Sequence, residues 1–558
     1  MKSTNIVLAA LLPLLWRASP LHAAPDLIYH NAQIHTANDE MPLAQAIAIE
    51  DDRIVAIGDS ADLLKLRDTQ TQLIDLEGQT VLPGLIDAHA HLSGLGELQV
   101  GTIDLSATTS YEEVIEIVRA RAAELPEGTW IIGRGWDHES WPSKMLPDHQ
   151  TLSDIVPDHP VWLLRVDGHA GLANEAAMKE AGIDADTPNP SGGEIIRGEN
   201  KRPTGVLVDN AESFVESVIP MSARGLTRDQ LLVGQRLCLA AGLTGVHDMG
   251  VPPAMVELYK QLDQEDLLKL RVYAALPGRD AVRYFSTNGV YISDRFTARA
   301  TKLYMDGAMG SRGAWMLEPY ADRPQDDEGN PYTGLTLMDP EFIDFIARNG
   351  VENGYQVCVH AIGDRGNRRT LDAFEQAGAQ NARFRVEHTQ LLSPADIPRF
   401  KSLGVIPSMQ PTHCTSDMRW VEDRVGEERA QGAYAWRSLL DTGVIIAGGS
   451  DFPVESHNPF LGFYAAITRQ NLDAQPEGGW QPDQRMTRLE TLKSFTIWAA
   501  YAAFEETEKG TLEIGKLADF IVIDRDYMTC PTREIADIRV VATYIEGAPV
   551  YVNPDFED

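Results

Sequence analysis

Apolar positions along this chain follow two rhythms. From Leu27 to Thr36, Ala46 to Ile57 and Gln72 to Val81 they alternate with polar ones between turn residues, as in strands with one buried face. The stretch Ala518-Asp519-Phe520-Ile521-Val522-Ile523 and the run Val540 to Tyr551 have the same texture. Strand-like segments at both ends predict one composite β-sandwich from residues 24–82 and 510–558, with the rest of the chain inserted between them. Through 83–509, short apolar runs alternate with helical stretches, the pattern of βα units around a parallel barrel. Eight strands are expected at Leu85–His89, Leu243–His247, Arg271–Ala275, Thr301–Met305, Gln356–His360, Arg383–Glu387, Val405–Met409 and Val444–Gly448. The interval between the first two is far beyond an ordinary βα connection, so residues from about 92 to about 235 read as an inserted subdomain. Loops after barrel strands build the catalytic face, and such an insertion would roof it. The predicted class is thus α/β: a (β/α)8 TIM barrel with a large insertion after strand 1 and a β-sandwich formed by both termini.

A chain of 558 residues has room for this architecture, and its 45 glycines and 32 prolines are spread without a low-complexity tract. Residues 1–23 read as a secretory signal: Lys2 gives the positive start, Ile6 to Trp16 a short apolar stretch, and Leu21-His22-Ala23 a cleavage site. That run is too short to span a membrane and Pro13 interrupts it. The expectation is an exported protein, periplasmic or secreted, with no membrane attachment after cleavage. A formal charge of −34 repels nucleic acid and anionic lipid and favours solubility. Cys238, Cys358, Cys414 and Cys530 match no zinc or redox spacing, and their disulfide state is open from sequence, as is homo-oligomer formation.

Candidate chemistry sits at the ends of the expected strands. His89 and His91, two apart on a strand, place both imidazoles on one face, where they can chelate one ion. Lys302, His360 and His388 close the fourth, fifth and sixth strands, and Asp451 follows the eighth. Each alone has an ordinary explanation: a core histidine, a loop cap, a turn aspartate. Together, four histidines and a carboxylate at one barrel mouth make a metal site by the ligand rules. His247 ends the second strand and reads as structural.

The run Leu82-Pro83-Gly84-Leu85-Ile86-Asp87-Ala88-His89-Ala90-His91, with Arg385-Val386-Glu387-His388-Thr389-Gln390, Gly448-Gly449-Ser450-Asp451 and Gly515-Lys516-Leu517-Ala518-Asp519-Phe520, resembles the amidohydrolase superfamily. Trp136, Asp167-Gly168-His169 and Lys302-Leu303-Tyr304-Met305-Asp306-Gly307 narrow the resemblance to the branch of N-substituted formamide deformylase and the YtcJ-like hydrolases. The resemblance implies that His89, His91 and Asp451 hold one ion, that His360 and His388 hold a second, and that Lys302 bridges them as a carbamate formed with CO2. An unmodified ammonium beside two cations would be repelled, whereas a carbamate is an anionic oxygen ligand.

Such a site activates water without a serine or cysteine nucleophile, and Asp451 would carry the proton from water to the leaving amine. Zn2+ suits the ligand set best, with Mn2+, Co2+ or Fe2+ acceptable. Trp136 and His169 from the roof, and Tyr304, Arg312, Arg365, Gln410 and His413 from barrel loops, are the candidate substrate contacts; His169 is also a candidate oxyanion ligand. The expected substrate is a small-molecule amide. A lactonase or phosphotriesterase would use the same activated water, and a metal-free scaffold is a further alternative.

Overall fold

The structure is a computed structural model that describes residues 24–220, 228–326 and 328–556. The secretory signal expected at 1–23 lies outside the described residues. Eight parallel strands form the central sheet: β1 (Leu85–Ala90), β2 (Leu243–Met249), β3 (Arg271–Pro277), β4 (Phe296–Tyr304), β5 (Gln356–Ala361), β6 (Arg385–His388), β7 (Ile406–Met409) and β8 (Ala447–Gly448). They pair in sequence order, and the sheet curls until its ends meet. Closure between β8 and β1 runs through the following loop, where the Asp451 amide donates to the His89 carbonyl at 2.7 Å and the His91 amide to the Phe452 carbonyl at 2.8 Å. The chain is thus a TIM-type barrel.

Two strands depart from the sequence reading. β4 begins at Phe296 because Phe296–Ala298 pairs with β3 on one side, while Tyr291–Ile292 pairs with Thr297 and Ala298 on the other. Its polar residues Thr297 and Arg299 hide that start from an apolar count. β8 is short because the Ile86 amide of β1 takes the Phe495 carbonyl, so only Ala447 and Gly448 reach the ladder with β7.

Both termini build the flanking sandwich. One sheet runs Arg53–Gly58, Ala46–Glu50, Leu27–His30, Gln72–Asp75; the other runs Ala548–Val552, Val540–Ile545, Phe520–Ile523, Thr80–Pro83, Gln33–His35, Leu43–Ala44. Val81 lies opposite Val522 and Leu82 opposite Ile521. Tyr29, Ile34, Ile47, Ile49, Val81, Phe520 and Val522 fill the space between the sheets. Thr80–Pro83 leads through Gly84 directly into β1, and a buried ion pair, Arg271 Nε to Asp519 Oδ2 at 2.6 Å, fastens the sandwich to β3.

Between β1 and β2, helices Leu92–Val100 and Arg228–Ala240 bracket a separate six-stranded sheet. Its order is Gly193–Arg197, Pro203–Asp209, Ala170–Ala173, Val161–Arg165, Ile131–Trp136, Ile103–Asp104. Side chains alternate across this sheet, so each face has its own core. Leu105, Val118, Ile131, Trp136, Leu163 and Val206 pack beneath helix Tyr111–Ala122, whereas Trp162, Met178, Ile195, Leu207 and Val215 pack on the other side. Loops from this sheet cover the C-terminal mouth of the barrel.

Candidate metal and substrate site

A cavity of about 630 Å³ opens at the barrel mouth, with barrel side chains as its floor and insertion loops as its roof. His89, His91, Lys302, Tyr304, His360, His388, His413 and Asp451 line the floor; Arg134, Asp137, Arg165, Asp167, His169, Asp209, Glu212 and Glu216 line the roof.

The histidines are anchored from behind. His89 Nδ1 lies 2.6 Å from Glu387 Oε2, His91 Nδ1 2.9 Å from the Met249 carbonyl, and His388 Nδ1 2.9 Å from Gln410 Oε1. A histidine fixed through Nδ1 presents Nε2 as a ligand atom, the arrangement found at metal sites. The anchor of His89 is itself embedded: Glu387 is fully buried against Arg385, whose guanidinium also reaches the Ala88 carbonyl, Ser408 Oγ and His247 Nδ1. Burial opposes ionisation of Glu387, but Arg385 and His89 hold its carboxyl well below the usual range.

Asp451 stands at the centre. Its Oδ1 is 3.1 Å from His91 Nε2 and 3.5 Å from His89 Nε2, and its Oδ2 is 3.3 Å from His413 Nε2. Among the described residues Oδ1 accepts no well-aligned hydrogen bond, and buried His360 Nε2 has no hydrogen-bond partner, with Asp306 Oδ1 3.9 Å away. His89, His91 and Asp451 present ligand atoms within 4.8 Å of one another, and so do His388, His413 and Asp451. The His360 ring packs 4.5 Å from that of His388 and 5.0 Å from that of His169, and Lys302 Nζ is 3.1 Å from His89 Nε2.

Protonation fits a cation at this point. Burial, with the Lys302 charge, drives His89 down to about 4, and burial likewise holds His360 and His388 well below the ordinary imidazole value. Neutral imidazoles are the form that binds a metal. Burial lowers Lys302. Asp451 stays ionised against burial because His89, His413 and His91 face it. The residues present therefore fit a divalent ion. His413 differs: against burial, Asp451 and Glu455 push it up to about 10, so it stands beside Asp451 as a cationic partner.

The backbone is bent to this purpose. His388 and Asp451 have φ of 72° and 62°, a region that side-chain-bearing residues seldom adopt and that clusters at functional sites. Asp87, pushed up to about 7 chiefly by burial, takes the Ser450 hydroxyl and amide and so fixes the turn that carries Asp451. Only glycine fits at 449, because a Cβ there would sit 2.6 Å from the His89 amide nitrogen and 2.7 Å from Asp87 Oδ1.

Among the expected substrate contacts, His169, Tyr304 and His413 line the cavity. His169 is fixed through Nδ1 on Asp209 Oδ1 at 2.7 Å. Four others are corrected. Trp136 is 1% exposed, donates Nε1 to the Leu163 carbonyl and belongs to the roof's own core. Gln410 is buried and spends its Oε1 on His388. Arg312 pairs with Asp322 beside a smaller pocket, and Arg365 reaches the Leu317 carbonyl over the Trp315 ring. Neither arginine reaches the main cavity. The sequence reading missed Glu387, although it adjoins His388, and the acids Asp209, Glu212 and Glu216, which no spacing rule ties to the barrel.

Comparison with known proteins agrees with this geometry. Residues 72–551 match the amidohydrolase family model. The chain is 34% identical to the Protein LONG AFTER FAR-RED 3 of Arabidopsis thaliana, over 95% of this chain and 92% of that protein. It is 31% identical to the putative amidohydrolase YtcJ of Bacillus subtilis (94% and 99%) and 27% identical to N-substituted formamide deformylase of Arthrobacter pascens (94% and 98%). The crystal structure of an uncharacterized metal-dependent hydrolase from Pyrococcus horikoshii superposes with a TM-score of 0.73 at 27% identity, covering 91% of this chain and 99% of that one. By its fold, its site geometry and its sequence, the chain belongs to the amidohydrolase family.

Proposed function

We propose that this protein is a metal-dependent hydrolase that cleaves a non-peptide carbon–nitrogen bond, of amide or formamide type, in a small molecule. The observation that supports it most is the convergence of Nδ1-anchored His89, His91 and His388 on the carboxylate of Asp451. The bond type follows the deformylase relative, whose name places its action on a formamide. A cavity of about 630 Å³ suits a ligand much larger than formamide itself.

His89, His91 and Asp451 would hold one ion and His360 and His388 a second, with Lys302 between them as a carbamate. Zn2+ is the favoured metal, and Mn2+, Co2+ or Fe2+ are acceptable. A divalent ion there supplies acidified water and polarises a carbonyl. Asp451 takes the proton from water and delivers it to the departing amine nitrogen, with His413 beside its Oδ2 as proton store. His169, held by Asp209, faces the substrate carbonyl, and the roof excludes bulk water. Residues 1–23 act as an export signal, so that the mature chain starts near Ala24 in the periplasm or outside the cell.

Elemental analysis of the purified protein, coupled to matched amide and ester panels, tests the reading. One to two equivalents of transition metal and chelator-sensitive amide cleavage are expected. Full activity after prolonged chelation, or cleavage of esters alone, overturns it.

A further inference from the structure

Three arginines line the cavity, and they are not alike. Arg165 closes on Asp137 and Asp167, and Arg419 closes on Asp137. Arg134 has no carboxylate within ion-pair distance among the described residues. One of its terminal nitrogens, Nη2, donates to the Val166 carbonyl at 3.2 Å, and its Nε is buried without a partner.

Its position is nonetheless fixed. Arg134 belongs to the roof strand Ile131–Trp136, whose ladder with Val161–Arg165 pairs Arg134 with Leu164. The guanidinium lies over Gly168, where φ is +70° and a Cβ would sit 3.3 Å from Nη2. Several acids act on its charge from a distance: Asp451 across the cavity, then Asp167 and Glu212. Burial raises the carboxyl pKa of both Glu212 and Asp209, which weakens their claim on a neighbouring cation. Arg134 is therefore an immobilised cation on the cavity wall with no ion-pair partner among the described residues.

We infer that Arg134 is an anion-recognition residue and that the substrate is an amide bearing a carboxylate, which Arg134 holds on the roof side while the scissile bond lies on the floor. A carboxylate returns a full opposite charge to a desolvated guanidinium, whereas a neutral carbonyl returns only a dipole. The polar work at the scissile carbonyl is already assigned to the floor and His169. The neutralised pairs of Arg165 and Arg419 leave Arg134 as the one cation on the roof wall open to a ligand among the described residues. This inference rests on the hydrolase reading above and names the substrate class of that site.

The test uses the metal-loaded enzyme and N-acetyl amino acids, each matched with the same compound as its carboxamide, with Arg134→Gln and Arg134→Lys as variants. The wild type is expected to prefer the acids in kcat/KM, and Arg134→Gln to lower that preference about tenfold or more through KM, with metal content unchanged. Arg134→Lys should restore part of it. Calorimetric binding of N-acetylphenylalanine and its carboxamide is read in parallel, and the acid's advantage should vanish in Arg134→Gln. If acids and carboxamides lose equally in Arg134→Gln, the residue acts on the common carbonyl and the inference is overturned. An acid-to-carboxamide binding ratio that the variant leaves unaltered overturns it too. If the wild type hydrolyses neither, the amide reading fails, and the binding ratio still decides the role of Arg134.

Discussion

The floor and the roof of the cavity are built on opposite plans. On the floor, His89, His91 and His388 are each steered by one buried acceptor, Glu387, the Met249 carbonyl or Gln410. On the roof, charge answers charge: Arg165 with Asp137 and Asp167, Arg419 with Asp137, and behind them Arg424 with Glu139 and Asp322. This last cluster of three ties the insertion, through Glu139, to the loops after β4 and β7. A floor of steered imidazoles around an ionised carboxylate keeps its affinity for a cation, while the paired ions of the roof hold its shape without competing for that cation. Chemistry and selectivity are thereby separated, and substitutions on the two sides should leave different signatures.

The largest effect is expected from Asp451→Asn, which keeps size but removes the proton acceptor and an anionic ligand. kcat should fall by about 10³-fold or more, with reduced metal content by elemental analysis. Lys302→Ala comes next: metal should drop toward one equivalent and kcat should fall severely, with partial recovery on adding bicarbonate or a short carboxylic acid. Two retained equivalents and no recovery would mean that Lys302 serves the substrate instead. Glu387→Gln touches neither substrate nor metal, yet should weaken metal binding by about 10- to 100-fold in a chelator competition, because His89 loses its charged anchor. On the roof side, Trp136→Phe should cost about 1–2 kcal/mol of stability through the lost bond to Leu163, with metal content unaltered. A metal loss in this variant would break the division between floor and roof.

An effect confined to acid pH is expected in the chelated protein. His89 titrates at about 4 in the fold, below its unfolded value of about 6.5, so the folded state binds fewer protons in that window. The stability linked to this group is complete above about pH 6.5 and is lost as pH falls toward 4. Thermal unfolding of metal-free protein followed from pH 7 to pH 4 should show the decline, and His89→Asn should make it shallower, with the part due to buried His360 and His388 left.

The floor was legible in the sequence because strand ends impose position. His89, His91, Lys302, His360, His388 and Asp451 each terminate or follow a barrel strand, and alternation along a strand tells which residues share a face. The roof was not legible in that way. Its cavity residues come from strands and turns of the inserted sheet whose place against the barrel is set by tertiary contact, so Arg134 and Asp209 carried no local signal. Trp136 was misplaced because the ladder with Val161–Arg165 slips between Arg134 and Trp136, at Gly135 with a φ of 111°, so the period-two rule breaks at that point. The Arg134 side chain reaches the cavity, and the indole two residues on turns into the roof core. Arg312 and Arg365 were drawn to the substrate by charge alone, while in the fold one is taken by Asp322 and the other by the Leu317 carbonyl. β8 was overextended because Val444–Ile446 is apolar, although in the fold the β1 amide of Ile86 goes to the Phe495 carbonyl and only Ala447 and Gly448 pair with β7.

The strand Thr80–Pro83 has a consequence in the time of synthesis. It is made before any part of the barrel, and one of its two neighbours, Phe520–Ile523, is made after all of it. Until that strand is present, the edge at Val81 and Leu82 is open and apolar, a ready template for pairing with another chain. Only the docking of Phe520–Ile523 seals it.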